Sequence, residues 1–150
     1  MAGLMRALIL GASGGIGAAL CQRLHAAGGN VTGLSRSADG LDLTAPASIA
    51  EHAARLADER FDLIFNTTGA LVVDGHQPEK SMDAIDPRAM AAQFALNAAG
   101  VALAIQHFAP LLADDRRSVF ASLAAGVGSI GDNGLGGGVS YRAAKAAQNQ

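Results

Sequence analysis

The sequence predicts an α/β protein built on a parallel sheet covered by helices on both faces. Three observations carry that prediction. Short apolar runs alternate with longer stretches of helical periodicity along the 150 residues, which is the pattern of strand–helix–strand units. The runs are apolar nearly throughout rather than at every second position, as strands buried on both faces are. A glycine cluster follows directly on the first run, where a strand hands over to a helix.

Taken in order, residues 4–10 form the first apolar run, interrupted by Arg6 and ended by Gly11. Residues 16–27 place apolar side chains at 16, 20 and 24 on one helical face, and Gly28-Gly29 stops that helix. Residues 31–34 read as a short strand followed by a polar turn through Ser35, Arg36 and Ser37. A helix is predicted over 46–59, with Pro46 in its first turn and Thr44 or Ala45 near its cap. Residues 61–65 are a strand closed by Asn66-Thr67-Thr68-Gly69, and Asp86-Pro87 opens a helix whose apolar pattern runs to about Leu112. Residues 118–123 are the last strand. Residues 124–138 are rich in glycine, and Ser140 is expected to cap a final helix. Phe94, Phe108 and Phe120 fit core positions. With no internal repeat, low-complexity tail or linker, residues 1–150 read as a single domain.

Half of the chain (50%) is hydrophobic, but 33 of those residues are alanine, and 19 further residues are glycine. Such small side chains let backbones approach closely. Charged residues make up 16%, against about 25% in ordinary soluble domains, which is compatible with surface covered by a partner subunit. A net charge of −2 without a basic run leaves no footprint for nucleic acid. The single cysteine, Cys21, permits no intrachain disulfide and reads as a small buried packing residue. His25, His52, His76 and His107 show no metal-ligand spacing, so no metal site is read. No apolar run reaches the ~18 residues of a membrane span, and the opening residues lead into the glycine loop rather than a signal cleavage site. A soluble, reduced, cytoplasmic protein without membrane contact is expected.

The glycines at 11, 15 and 17 give Gly-x-x-x-Gly-x-Gly between the first strand and the first helix. Glycine allows the tight turn and the close approach of backbone to ligand. The helix start then offers unpaired N–H groups and a positive dipole end to phosphates, the physics of a dinucleotide pyrophosphate site. At the end of the second strand stands Arg36, and no acid occurs before Asp39. An arginine there pairs with the 2′-phosphate of NADP, where a carboxylate would take the ribose hydroxyl of NAD, so NADP is favoured over NAD. In the last helix Tyr141 and Lys145 are four apart and share a face. An ammonium beside a phenol favours its ionised form, which makes the pair a proton donor and acceptor for interconverting a carbonyl and an alcohol.

With an Asn-x-x-Gly after a later strand, these motifs occur in the order found in the short-chain dehydrogenase/reductase family, which the chain resembles over essentially its whole length. The stretch Gly128-Ser-Ile-Gly-Asp-Asn133, with Gly136-Gly137 and Ser140-Tyr-Arg142, looks like the family's C-factor-type subgroup. The resemblance implies a Rossmann-type doubly wound parallel sheet. It also implies roles. Gly11, Ser13, Gly15, Ile16 and Gly17 would hold the pyrophosphate and nearby ribose, Arg36 the 2′-phosphate, and Asp42 the adenine amine. Asn66, Thr67, Thr68 and Gly69, standing where the family has Asn-Asn-Ala-Gly, would border the nicotinamide ribose. Asn97 would hold a water in a proton relay. Tyr141 would be the general acid or base, and Lys145 would bind the nicotinamide ribose and lower the tyrosine's pKa.

Two departures from the family pattern stand out. The serine that binds the substrate oxygen falls on Ala124 or Ala125, leaving Ser122 or Ser129 to supply a hydroxyl. Losing such a donor costs about 10²–10³ in rate. Family members also run on past the Tyr-Lys helix, so the sequence reads as the N-terminal portion of a longer protein without the final strands. The resulting expectation is an NADP-dependent oxidoreductase acting on a small carbonyl or alcohol. The resemblance adds a homodimer or homotetramer paired through the long helix and the Tyr-Lys helix, with which Ala91, Ala92, Ala95, Ala98 and Ala99 are compatible. The alternative is a nucleotide-binding regulatory or signalling protein with little turnover, suggested by the missing serine.

Overall fold

In the computed structural model, which describes residues 4–150, four strands form one parallel sheet. They are β1 (Arg6–Leu10), β2 (Asn30–Leu34), β3 (Leu63–Asn66) and β4 (Val119–Ser122), in the order β2-β1-β3-β4. The opening Met1–Gly3 lies outside the described residues. Leu10 pairs with Leu34 on one side and Asn66 on the other, so the C-terminal ends of three strands are level. The chain leaves β1 toward β2 and returns to the opposite edge of β1 with β3. That reversal opens a crevice beyond the strand ends, where α/β sheets bind ligands.

Six α-helices accompany the strands among the described residues: α1 (Gly15–Ala26), α2 (Arg36–Asp39), α3 (Pro46–Arg55), α4 (Pro87–Phe94), α5 (Gly100–Phe108) and α6 (Val139–Asn149). A wider π turn, Ala95–Ala99, joins α4 to α5. The residues group into two compact units, one formed by residues up to Thr68 with Leu103–Leu123, the other by Gly69–Ala102 with Ala124–Gln150.

The first unit contains the sheet and its core. Ala7, Leu8, Ile9, Leu10, Ile49, Ile64 and Phe108 are fully buried, the burial of β1 being that of a central parallel strand. Several expectations are corrected here. Residues 35–37 are not a simple turn: the Ser35 hydroxyl accepts from the Ala38 amide and caps the short α2, which Gly40 ends in the left-handed region. The helix begun at Pro46 ends at Arg55 rather than 59, because Leu56, Ala57 and Glu59 close successive three-residue turns. Phe120 is only half-buried, and so is Cys21, whose thiol burial pushes up from its ordinary pKa.

The second unit pairs α4 with α6. The Asp86 carboxylate caps α4 through the Arg88 amide, as the sequence suggests. Ser140, however, does not cap α6. That helix begins one residue after Gly138, whose left-handed φ of 56° turns the chain into it, so Ser140 already lies in the first turn. Phe94 is half-buried rather than core. The helical stretch Pro87–Leu111 spans 25 residues and is long and apolar enough to cross a membrane, where the sequence alone suggested no such segment. Its Gln93 and Asn97 are nevertheless buried and hydrogen-bonded to main chain, a property of core helices.

Candidate functional site

In the first unit the site is made mainly of backbone. Gly11 takes φ +88°, and its amide and that of Ala12 both donate to Leu34 O, drawing the loop onto the end of β2. Gly33 makes that approach possible: a Cβ there would lie 2.7 Å from Ala12 Cβ. Gly17 is more constrained, since its Cβ would lie 2.1 Å from Gly11 O. Around Gly15, by contrast, an added Cβ meets nothing within 4 Å. Helix geometry leaves the first amides of α1, at Gly15, Ile16 and Gly17, without intrahelical partners. No acid stands in that turn, and Ile16 is exposed above it. The loop thus has open space, unpaired donors and a positive dipole end, and it fits an anionic pyrophosphate.

Ser13 lies on the same side as α2, accepting from the Ser37 hydroxyl at 3.1 Å. Arg36 is exposed at the start of α2. Asp42 Oδ1 accepts from both the amide (2.8 Å) and hydroxyl (2.7 Å) of Thr44, and these bonds, with Arg36 nearby, hold its carboxyl below the usual range. Beneath this segment is a residue that sequence reasoning passed over. His52 is buried, with Nδ1 2.7 Å from Ser48 O and Nε2 2.9 Å from Asp39 O, which ties α3 to the end of α2.

At the end of β3 the hydroxyl of Thr67 donates to Leu10 O (2.9 Å) and Gly11 O (3.2 Å), stitching β3 to the glycine loop. Asn66 is fully buried. Its Oδ1 accepts from the amide and hydroxyl of Thr68, and its Nδ2 donates to Ser122 Oγ at 3.0 Å. Ser122 is therefore held at the strand end by Asn66.

The second unit is made of buried side chains. Asn97, in the π turn, is fully buried; its Oδ1 accepts from the Ala70 amide, and its Nδ2 donates to Ala70 O (2.9 Å) and Gln93 Oε1 (2.7 Å). Gln93 passes the connection on to Leu71 O at 2.8 Å. Gly69, at φ +133°, lies so close that a Cβ would sit 2.8 Å from Asn97 Oδ1 and 3.3 Å from Lys145 Nζ. Lys145 is 4% exposed and burial pushes its ammonium below the ordinary lysine range; Nζ donates to Gln148 Oε1 and lies 6.0 Å from the centroid of the Tyr141 ring. Gly128 packs against the same helix, where a Cβ would meet the Lys145 carbonyl at about 3 Å. Thus Gly69, Asn97, Lys145 and Tyr141 gather in one place. Ser129 is elsewhere in character: exposed, with its Oγ accepting from the Asp132 amide in a turn. Beside Tyr141 is a largely apolar cavity of about 310 Å³ lined by Leu71, Pro78, Val127, the Gly136–Gly138 turn and Arg142.

Comparison with known proteins agrees with this geometry. A family model described as the NAD dependent epimerase/dehydratase family matches residues 7–111. The 1-hydroxy-2-glutathionyl-2-methyl-3-butene dehydrogenase of Rhodococcus sp. (strain AD45) is 30% identical over 156 residues, covering 95% of this chain and 66% of its own length. The chain therefore spans just under two thirds of that curated relative. Two crystal structures from Burkholderia multivorans share the fold. One, assigned as a short-chain alcohol dehydrogenase, has a TM-score of 0.85 at 27% identity over 97% of this chain and 74% of its own. The other, assigned as a short-chain dehydrogenase/reductase, contains bound NADP and has a TM-score of 0.80 at 25% identity over 99% of this chain and 70% of its own.

Proposed function

The chain belongs to the NAD dependent epimerase/dehydratase family, within the short-chain dehydrogenase/reductases, and from that premise we propose that it is an NADP-dependent oxidoreductase interconverting a carbonyl and a secondary alcohol. The observation that carries this reading is the buried Lys145 ammonium gathered with Tyr141, Asn97 and Gly69. A charged amine is buried at a cost, and such groups cluster where chemistry is done. The nicotinamide cofactor, when bound, supplies or accepts the hydride.

The amides of Gly15, Ile16 and Gly17 would hold its pyrophosphate, with Gly11 and Ser13 beside it, and Arg36 would take the 2′-phosphate. Asp42 meets the adenine amine. Thr68 and Gly69 would border the nicotinamide ribose, with Asn66 buried behind them and bonded to Thr68 and Ser122, while Thr67 holds the end of β3 to the glycine loop through its two carbonyl bonds. Tyr141 Oη gives its proton to the substrate oxygen in reduction and takes it back in oxidation. Lys145 keeps positive charge beside the phenol, and Asn97 fixes the Ala70–Leu71 main chain next to it, directly and through Gln93. The apolar lining of the cavity beside Tyr141 suits the carbon body of a small substrate. The finer assignment to a C-factor-type subgroup rests on the Gly128–Asn133 stretch. We further read the chain as one dinucleotide-binding domain of a soluble cytoplasmic homo-oligomer, for which the exposed Ala91 and Ala99 leave a close-packing helix face.

Reduction of a panel of aldehydes and ketones with NADPH tests the reading. Tyr141→Phe is expected to lower turnover about 10²–10⁴-fold with the NADPH Kd unchanged. A second reading, a nucleotide-binding regulator, is favoured by one observation: Ser122 Oγ is engaged by Asn66, and Ser129 sits in an exposed turn. Tight NADPH binding without turnover on any carbonyl would establish it instead.

A further inference from the structure

Helix α6 carries the candidate proton donor yet brings no cap of its own. Its N-cap is Gly138, which has no side chain, and the helix has no acid in its first turn. The three residues before its first turn, Gly136, Gly137 and Gly138, all take left-handed φ values of 63°, 68° and 56°. Three successive glycines lose much conformational freedom on ordering, so a helix start of this kind frays unless something outside it supplies the missing partners.

Glu79 supplies them from 61 positions upstream. Its carboxylate accepts the Ser140 hydroxyl through Oε1 and the Ser140 amide, at 3.3 Å, through Oε2. Its main-chain carbonyl accepts the Gly138 amide at 2.7 Å. Arg142 grips the same turn from the other side, donating to the carbonyls of Gly137 and Gly136. Glu79 is only 8% exposed, and buried carboxylates persist where they are hydrogen-bonded. Burial alone would push its pKa up, but the bonds from the Ser140 hydroxyl, its own amide and the Ser140 amide hold it below the ordinary range.

We propose that Glu79 is a positioning residue for Tyr141: it caps α6 from outside the helix and fixes the turn on which the tyrosine is mounted. Ser140 immediately precedes Tyr141, and Pro78, the neighbour of Glu79, lines the cavity beside the phenol. The Pro78-Glu79 pair thus touches both the helix start and the adjoining cavity. The proposal rests on the reading of Tyr141 as proton donor, but its first test does not.

Tyr141 is the sole tyrosine in a chain without tryptophan, so the near-UV tyrosine circular dichroism reports the order of that ring alone, without substrate. Glu79→Ala is expected to remove most of this band. It should also lower kcat for carbonyl reduction by up to about fivefold, the factor by which loss of a cap shifts the ratio of ordered to frayed first turn. KM, the NADPH Kd and the far-UV spectrum stay as in the wild type. Glu79→Gln, whose amide oxygen still accepts from Ser140, restores both signals. If Glu79→Ala does not fold, Ser140→Ala removes one donor and is expected to give a partial loss of the tyrosine band. A full band in Glu79→Ala, or in Ser140→Ala where that variant stands in for it, overturns the tether, as does failure of Glu79→Gln to recover it. A wild-type protein with a Glu79-dependent band and no turnover would instead sink the oxidoreductase reading and leave the tether standing.

Discussion

The two compact units solve their tasks with different parts of the chain. In the first, the groups that the proposed reading assigns to the pyrophosphate are main-chain amides at the start of α1, and the side chains around that loop are absent, as at Gly15, or turned to bracing, as at Thr67. In the second, the working groups are buried polar side chains, Asn97, Gln93, Glu79, Ser140 and Lys145, each needing a partner. The difference follows from the chemistry. A diphosphate is held by a fixed array of N–H dipoles, for which backbone suffices. A proton must be moved by a titrating group, which has to be a side chain, and burying one demands hydrogen bonds around it.

The sharpest way to break the comparison is to give the glycine loop side chains. Gly17→Ala puts a Cβ 2.1 Å from Gly11 O and 2.8 Å from Thr67 Oγ1, against backbone that cannot yield. A loss of more than about 3 kcal/mol is expected in urea unfolding, with NADPH binding abolished. Gly15→Ala makes the same chemical change where nothing lies within 4 Å. Its stability should rise by about 0.5 kcal/mol, as a glycine replaced in a helix allows, while NADPH binding weakens about tenfold because the phosphate loses its room. Undiminished NADPH affinity in Gly15→Ala would show that the loop is only a tight turn.

In the second unit the equivalent test removes a partner. Gln93→Leu leaves Leu71 O and one Asn97 N–H without their partner, the second of them buried. One unsatisfied buried donor costs about 1–3 kcal/mol, read as a lower urea midpoint at unchanged m-value. A loss below about 0.5 kcal/mol would mean that water reaches the pair and that the side-chain network is not what orders this unit. Returning to the first unit, Arg36→Ala should weaken NADPH about 10–100-fold, the worth of bonds to a charged group, and leave NADH unchanged in parallel fluorescence titrations. Equal losses for both cofactors would sink the 2′-phosphate assignment.

What was legible in the sequence divides along the same line. The glycine loop could be read because its backbone conformation forces the residue type: Gly11 at φ +88° and Gly17 against Gly11 O leave no alternative. Tyr141 and Lys145 were legible because a helix puts positions four apart on one face. Glu79 was not, since its partner lies 61 residues away; Gln93 stands four before Asn97, but its other partner, Leu71 O, lies 22 residues away and only the tertiary fold brings it there. Among the elements, α2 was missed because four residues are too few to show periodicity and its evidence is a single serine cap. Ser140 was misplaced for the opposite reason: serine is a favoured cap, but the left-handed Gly138 starts the helix before it. His52 reads in the sequence as any helix histidine, because only the fold sets Asp39 O against its ring.

A small expected effect on stability concerns Lys145, the buried ammonium on which the proposed chemistry rests. Burial lowers the pKa of Lys145 in the folded chain relative to the unfolded one. Between those two values the unfolded state binds more protons, so stability rises with pH across that window, and below it the folded protein bears the full cost of a buried ammonium. Lys145→Met removes that cost while keeping most of the volume. At neutral pH it should raise Tm by about 2–4 °C, the shift that about 1 kcal/mol gives in a domain of this size, and the advantage should shrink as pH climbs toward the ordinary lysine range. The same substitution is expected to abolish carbonyl reduction. A variant that is more stable and inactive is the signature of a group kept for chemistry at the expense of the fold; a variant that is less stable at every pH would mean that Lys145, through Gln148 and its other contacts, is chiefly a structural tie.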